Sequence, residues 1–228
     1  MPLLVSRSIN PSARNRLAQL DEVILFGTED VTYPSISNHP DIFFCPVDNH
    51  LIASSAVPQR TVQQIIHSGV SLEVVPEQPG MAYPRSALFN AMATRDYLIH
   101  RTDITQQRIK ERCQNMVKIH VNQAYTRCNL LSLDQTHWIT SDRGIERALQ
   151  SHGLTTLYVD PRAVRLEGFP HGFFGGCCGV FGSMLLVNGS LETLGESEQV
   201  RGFVEKAGFS LLELHKGALH DIGGIMAC

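Results

Sequence analysis

Residues Gly168 to Ser190, GFPHGFFGGCCGVFGSMLLVNGS, are the stretch from which the fold of this chain is inferred. Five glycines between positions 172 and 182 lie among phenylalanines and two adjacent cysteines, before the apolar run Met184 to Val187. So much glycine beside apolar side chains indicates strands whose backbones approach closely. The following residues predict a helix from Ser197 to Ala207, a stop at Gly208 and a strand from Ser210 to Leu214. The order is strand, strand, helix, strand.

The same order recurs upstream in the chain. Predicted helices end at Gly69, Gly153 and Gly208, and each is followed by a β-rich run. The predicted units span residues 41–76, 86–122, 126–160 and 173–215. Each of these lengths suits three strands and a helix, so the sequence predicts internal repetition.

Several element boundaries follow from the same patterns. The first strands of the first three units are predicted at Asp41 to Cys45, Ser86 to Ala91 and Arg127 to Leu131. A helix is predicted from about Asp103 to Gln114, with Asp103 as its N-cap.

The two ends of the chain supply incomplete units. Residues 10–27 predict a helix and a strand, Glu22 to Phe26, whereas Asp221 to Cys228 predicts a lone strand. Together, residues 220–228 and 10–27 make a fifth unit, so the chain is predicted to be a single domain, residues 1–228, closed by its own ends. A closed ring leaves fewer exposed strand edges, which is a physical reason for this split.

Composition excludes several classes of function. The 228 residues are 43% hydrophobic and 18% charged, with a formal net charge of -3, which is typical of a soluble globular protein. No basic patch, long apolar run or signal peptide is evident, so neither a nucleic-acid nor a membrane partner is expected. Six cysteines form no CxxC pair and no phosphate-binding glycine loop is present, so we expect reduced thiols in the cytoplasm, with no metal and no cofactor.

A closed ring of five ββαβ units resembles the pentein fold, the α/β propeller of the guanidino-group-modifying enzymes. The segments HPDIFFCPVDNHLIASS, YPRSALFN, QAYTRCNLL with ITSDRGI, GFFGG and DIGGI resemble an uncharacterised bacterial family assigned to that fold. The resemblance covers most of the chain from His39 onward. It implies an α/β propeller with five-fold pseudosymmetry.

The resemblance also implies a chemistry. In the enzymes of this superfamily a cysteine of the final unit attacks the guanidinium carbon, a histidine transfers protons, and carboxylates hold the cation. The matching candidates are Cys228 in GGIMAC, His171 before the fourth unit, and Asp221. Three structural roles remain open: a frayed terminus for Cys228, whose thiol pKa an adjacent terminal carboxylate would raise, a loop position for His171, and a turn cap for Asp221.

Further residues are expected at the central channel, since the first strand of each unit lines it in such rings. The candidate ligand-binding residues are Asn90, Asn129, Cys128, Cys177 and Cys178. The adjacent pair Cys177 and Cys178 fits small core-filling side chains equally well.

Two functions are consistent with these residues. One is a Cys/His enzyme related to the amidinohydrolases and dihydrolases, acting on a small guanidine or amidine. The other is a non-catalytic ring that binds a protein, ribosomal or small-molecule partner, as the ribosome anti-association factor of the same fold does. The sequence leaves the ligand and the oligomeric state open.

Overall fold

In the computed structural model, which describes residues 1–228, the chain forms five three-stranded sheets. In every sheet the middle strand pairs antiparallel with one edge strand and parallel with the other. The strands are β1 (Leu3–Ser6), β2 (Val23–Phe26), β3 (Phe44–Val47), β4 (His50–Ser54), β5 (Leu72–Val75), β6 (Met92–Ala93), β7 (Tyr97–His100), β8 (Val117–His120), β9 (Leu130–Ser132), β10 (His137–Thr140), β11 (Thr155–Tyr158), β12 (Cys178–Phe181), β13 (Met184–Val187), β14 (Ser210–Glu213) and β15 (Met226–Ala227). The sheets are β15-β1-β2, β3-β4-β5, β6-β7-β8, β9-β10-β11 and β12-β13-β14.

One helix connects the middle strand of each sheet to its parallel neighbour, because parallel strands need a crossover. The helices are α1 (Pro11–Leu17), α2 (Pro40–Phe43), α3 (Gln59–His67), α4 (Gln107–Arg112), α5 (Thr126–Asn129), α6 (Arg143–Ser151) and α7 (Ser197–Lys206), of which α2 and α5 are single turns outside this pattern. The predicted glycine stops are confirmed: Gly69, Gly153 and Gly208 follow α3, α6 and α7 with φ of +80°, +75° and +81°.

The apolar core is divided among the junctions between neighbouring sheets. Five separate clusters of buried side chains are present, and each combines residues from two consecutive sheets. On β1, for example, Leu3 and Val5 join the cluster shared with β13, whereas Leu4 joins the cluster shared with β3 and β4. Alternate side chains of a strand point to opposite faces, so each sheet packs against both neighbours. The fifth junction closes the ring.

The predicted closure across the two ends of the chain is confirmed. β15 and β2 lie in one sheet, and both pair with β1. β1 itself was not predicted, and β15 is much shorter than the predicted strand Asp221 to Cys228. The chain turns at Gly223 and Gly224, whose φ values of +74° and +77° are incompatible with a strand.

The predicted first strands of units one and three were wrong at their beginnings, and Ser86 to Ala91 was wrong throughout, since β6 begins at Met92. Asp41 to Phe43 lies in α2, Ser86 and Ala87 lie in a 3-10 turn, and Arg127 to Asn129 lies in α5. Short apolar runs fit a helical turn and a strand equally well, so the sequence pattern does not separate them.

The predicted start of α4, at about Asp103, was also wrong, since the helix begins at Gln107. Its N-cap is the buried Gln106, whose Oε1 accepts hydrogen bonds from the backbone N–H groups of Arg108 and Ile109. Asp103 instead pairs with Arg101 at 3.3 Å.

No helix in the structure combines the length and the apolar character that crossing a bilayer requires.

Candidate ligand site on the ring axis

Short helical turns place the polar residues of the site at the centre of the ring. α2, α5 and the 3-10 turn Gly175–Cys177 each end directly before the first strand of their sheet. Backbone hydrogen bonds join turns of different units: Arg127 donates to Asn90 O at 3.0 Å, and Ile222 donates to Gly176 O at 2.9 Å. Because the units surround one axis, equivalent turns meet there.

Cys128, at this meeting point, is hydrogen-bonded to residues of two other units. Its Sγ donates to Asp41 Oδ2 at 2.8 Å and accepts from Asn90 Nδ2 at 3.2 Å. The same Asn90 amide donates to Asp41 O at 3.1 Å, and its Oδ1 accepts from Cys128 N at 3.2 Å. Burial raises the pKa of the Cys128 thiol, and the nearby Asp41 and Asp221 carboxylates raise it further, so the sulfur is protonated at neutral pH.

Asp221 is held by backbone N–H groups in a space that only glycines leave open. Its Oδ2 accepts from Phe173 N at 2.9 Å, and its Oδ1 accepts from Gly223 N at 3.0 Å. A Cβ on Gly176 would lie 1.9 Å from Asp221 Oδ1, and one on Gly172 would lie 2.5 Å from the Asp221 Cβ. The glycine-rich stretch therefore makes room for this carboxylate.

His39 lies beside Asp221 in the buried wall. Its Nδ1 is 3.7 Å from Asp221 Oδ1, too far for a hydrogen bond, and has no other partner. Burial lowers the pKa of His39 to about 4, although the Asp41 charge opposes this, so the imidazole is neutral at pH 7. A buried polar nitrogen without a partner is rare and calls for a ligand or a water molecule.

Two carboxylates are thus buried at the axis without a basic partner. Asp41 is 1% exposed and Asp221 is 2% exposed, and no Lys or Arg nitrogen lies within 4 Å of either. Burial raises the pKa of Asp221 to about 6, against the effect of its backbone hydrogen bonds. Burial also raises the pKa of Asp41, whose Oδ1 has no hydrogen-bond partner. Above about pH 6, Asp221 is therefore ionised without a Lys or Arg partner, whereas the nearby His39 and Arg127 act to lower the pKa of Asp41 against the effect of burial.

A cavity of about 110 Å³ opens onto this cluster. Its polar wall consists of His39, Cys128, His171 and Asp221, and Asp41 lies behind Cys128. The remaining wall is apolar or aromatic, formed by Tyr33, Ile36, Ile42, Tyr125, Leu166, Phe169 and Phe173.

Aromatic side chains line the cavity, and the hydroxyl groups of the two tyrosines are hydrogen-bonded to other side chains. The Tyr33 and Tyr125 hydroxyls are hydrogen-bonded to each other at 2.8 Å, and Tyr125 is also bonded to the buried Ser86 hydroxyl. Phe169, 46% exposed, packs on Tyr33 with 5.6 Å between ring centroids, at the cavity mouth. Such ring faces attract organic cations.

The structure brings together some of the sequence-predicted residues. Asp221, Cys128 and His171 line one cavity, and Asn90 supports Cys128 from behind. His171 Nδ1 is 2.9 Å from Gly172 O, which makes this nitrogen the protonated one and leaves Nε2 for proton exchange. Asn129 points elsewhere, with its Nδ2 donating to Tyr125 O at 2.8 Å.

The other predicted cysteines do not face this cavity. Cys228 lines a separate hollow of about 440 Å³ together with Met1 and His50, and burial raises its pKa to about 12. Cys177 is fully buried in the apolar core, and Cys178 borders a second cavity that also includes Arg127. Cys228 and His171 therefore do not form a nucleophile and proton-transfer pair in this structure.

Sequence reasoning missed His39, Asp41, Tyr33 and Tyr125 as site residues. A signal was available for Asp41, because it begins the predicted first strand of the first unit, as Asp221 begins the predicted strand at the end of the chain. The tyrosines carried no sequence signal, since they lie in loops of two different units.

Solved structures with this architecture were found at low sequence identity. Agmatine deiminase from C. jejuni has a TM-score of 0.55 and 10% identity, over 96% of this chain and 90% of that one. Inosamine-phosphate amidinotransferase from Streptomyces griseus has a TM-score of 0.53 and 12% identity, over 91% and 77%. DDAH from Pseudomonas aeruginosa, complexed with citrulline, has a TM-score of 0.52 and 10% identity, over 93% and 91%. No curated protein sequence matches the chain significantly.

These likenesses and the five equivalent sheets define the class: the protein has the pentein fold of the guanidino-group-modifying enzymes. Within that class, a family model matches residues 4–226, and the chain belongs to that family, described as Family of unknown function (DUF6873).

Proposed function

We propose that this protein binds the guanidino or amidino group of a small molecule in the axial cavity. The observation that carries the proposal is the pair of buried carboxylates, Asp41 and Asp221, with no Lys or Arg nitrogen within 4 Å. Buried charges are normally paired, because an isolated ion loses its hydration at a large cost. A cationic ligand would supply the missing charge.

The shape of the wall favours a planar cation over a compact ammonium. Asp221 contributes a carboxylate whose remaining lone pairs match the paired N–H donors of a guanidinium or amidinium. The Tyr33 and Phe173 rings beside it can stack on a delocalised cation. About 110 Å³ is the volume of roughly four water molecules, which suits one such group and a few carbon atoms.

The similar solved structures support the same chemical class. Two of them are described as an amidinotransferase and an agmatine deiminase, and DDAH was solved with citrulline. These names describe those proteins, whose identity to this chain is 12% or less. For this chain, support comes from its own two buried carboxylates, which have no Lys or Arg partner.

Calorimetric titration with methylguanidine and benzamidine tests the proposal. We expect binding by the wild type and at least tenfold weaker binding by Asp221→Asn, which removes the charge and keeps the size. Asp96→Asn is the matched control, since Asp96 is exposed and distant from the cavity. Equal affinity for Asp221→Asn and the wild type, or no binding by the wild type, would refute it.

Catalysis by Cys128 is a second candidate function, favoured by the hydrogen bond from its Sγ to Asp41. A bound cation would lower the thiol pKa, and the proton would pass to Asp41 Oδ2. The thiolate would form a bond to the guanidinium carbon, and the carbon–nitrogen bond would break as the proton on Asp41 passes to the leaving amine. Water would then give one proton to His171 Nε2, and its oxygen would displace the sulfur. The second proton of water would return to the sulfur, giving a urea and the free thiol.

Ammonia release from a panel of guanidino compounds tests this second candidate. Turnover by the wild type and Cys228→Ala, with none by Cys128→Ala, would support it. Turnover that survives Cys128→Ala would remove Cys128 from the mechanism. Binding without turnover by the wild type would leave a non-catalytic ligand-binding ring.

We also propose a cytoplasmic location, which the six free cysteines support.

A further inference from the structure

The cavity offers no Lys or Arg side chain to the far end of a ligand. Beyond Asp221, Cys128 and the two histidines, every lining residue is apolar or aromatic. His39 is neutral at pH 7 because burial lowers its pKa, and the His171 Nδ1 is bonded to a backbone carbonyl. The wall therefore holds no group comparable to an arginine fork, which pairs with a carboxylate through two N–H donors.

Three arginines near the lining residues in sequence do not change this. Arg127 directly precedes Cys128 but lines the other cavity, and its charge acts on Asp41. Arg162 is 84% exposed and held by three hydrogen bonds to the Asp160 carboxylate. Arg165 is exposed and lines no part of the cavity. A ligand carboxylate near the mouth would meet apolar rings and the negative field of Asp221.

The apolar wall is suited to a hydrocarbon substituent instead. Ile36 and Ile42 are buried, and Leu166, Phe169 and Phe173 continue the same surface outward to the mouth. Phe169 is one of the few large apolar side chains with nearly half of its surface exposed. An alkyl or aryl group attached to the cation would cover this surface and gain from leaving water.

We propose that the ligand class of this site is monocationic guanidines or amidines with an apolar alkyl or aryl substituent, and that amino-acid guanidines such as arginine are discriminated against. This rests on the proposed guanidinium-binding function. It adds that the tail of the ligand is uncharged.

A competition series measures the discrimination directly. Affinities of methylguanidine, n-butylguanidine, benzamidine and L-arginine are compared by calorimetry on the full-length protein. We expect n-butylguanidine and benzamidine to bind more tightly than methylguanidine, and L-arginine to bind at least tenfold more weakly than n-butylguanidine. L-Arginine binding as tightly as n-butylguanidine would overturn the inference and leave guanidinium binding intact. Failure of all four compounds to bind would refute the proposed function and this inference with it.

A specificity variant provides an independent check. Leu166→Lys places a cation at the half-buried apolar wall, and Leu166→Met is its matched control of similar volume. The ratio of L-arginine to n-butylguanidine affinity should rise severalfold in Leu166→Lys and stay unchanged in Leu166→Met. An unchanged ratio in Leu166→Lys, with methylguanidine binding retained, would contradict the proposed placement of the tail.

Discussion

Asp221 is held in a position where its charge is costly to the fold. Burial raises its pKa to about 6, from 3.8 for an ordinary aspartate, so folding favours the protonated form. The stability that this group contributes is then present at low pH and is lost as pH rises from about 4 to about 6. A shift of this size corresponds to about 3 kcal/mol. A cationic ligand would recover part of that loss.

The first prediction is a pH-dependent difference between the wild type and Asp221→Asn. The free energy of unfolding of the wild type, minus that of the variant, should fall by about 2–3 kcal/mol between pH 4 and pH 7. The neighbouring His39 titrates in both proteins, so its contribution largely cancels. Urea unfolding at several pH values measures the difference, and a difference independent of pH would contradict the predicted titration.

Gly176 shows why glycine is required beside the carboxylate. In Gly176→Ala the new Cβ would overlap Asp221 Oδ1, so the variant should lose about 1–3 kcal/mol of stability and most ligand affinity. The control is Gly202→Ala in α7, where a Cβ meets nothing within 4 Å and helix propensity should add up to about 1 kcal/mol.

A double variant identifies the cause of the Gly176 effect. If the overlap with Asp221 is responsible, Gly176→Ala combined with Asp221→Gly should be more stable than the sum of the single effects predicts. Additive free energies would indicate that the alanine methyl group acts through another contact.

At the scale of elements, the turns that precede the first strands decide where the chemistry lies. α2 and α5 are each four residues long, yet they position Asp41 and Cys128 within hydrogen-bonding distance. The segment from Asp221 to β15 does the same for the fifth unit, and its buried side chains also belong to two junctions of the ring.

Removal of residues 221–228 is therefore predicted to unfold the whole ring. Ile222, Ile225 and Met226 are at most 2% exposed, and burying each contributes about 1.5–3 kcal/mol. The sum is comparable to the entire stability of an average domain. Circular dichroism during heating should show no cooperative transition, whereas Cys228→Ser should melt like the wild type. A truncated protein that melts cooperatively would contradict this role.

At the scale of the whole molecule, the ring has five junctions and no terminal sheet. The cluster that joins β1 and β2 to β3 and β4 is equivalent to the other four, although its strands are far apart in sequence. Cys228 N donates to Pro2 O at 3.0 Å, so the two ends of the described chain lie side by side.

A circular permutant tests this closure. Joining residue 228 to residue 1 through a short glycine linker, and opening the chain between His152 and Gly153 in the exposed turn after α6, should give a protein with native circular dichroism and ligand binding. Opening inside β4 between Leu51 and Ile52, both buried, should abolish folding. Failure of the permutant opened between His152 and Gly153 to fold would contradict closure of the ring through the sheet β15-β1-β2.

The repeat, its helices and its closure could be predicted from the sequence because they follow from local signals. Glycine after α3, α6 and α7 marks helix ends, and the alternation of apolar runs marks the strands. The role of Asp221 as a residue at the axis could also be proposed, since its place in the repeat is visible in the chain. Strand β1 was missed because Leu3 to Val5 is a run of only three apolar residues between Pro2 and Ser6.

The composition of the site was decided by the tertiary structure alone. Cys128 and Asp41 are 87 residues apart, and only the ring brings Sγ and Oδ2 to 2.8 Å. Sequence favoured Cys228 over Cys128 because the final glycine-rich strand resembles that of the enzymes. Two glycines at positive φ delay the start of that strand to Met226, and Cys228 lies in another hollow. Which cysteine meets the carboxylates depends on the direction of each turn at the axis. That direction is set by packing between units that no local pattern encodes.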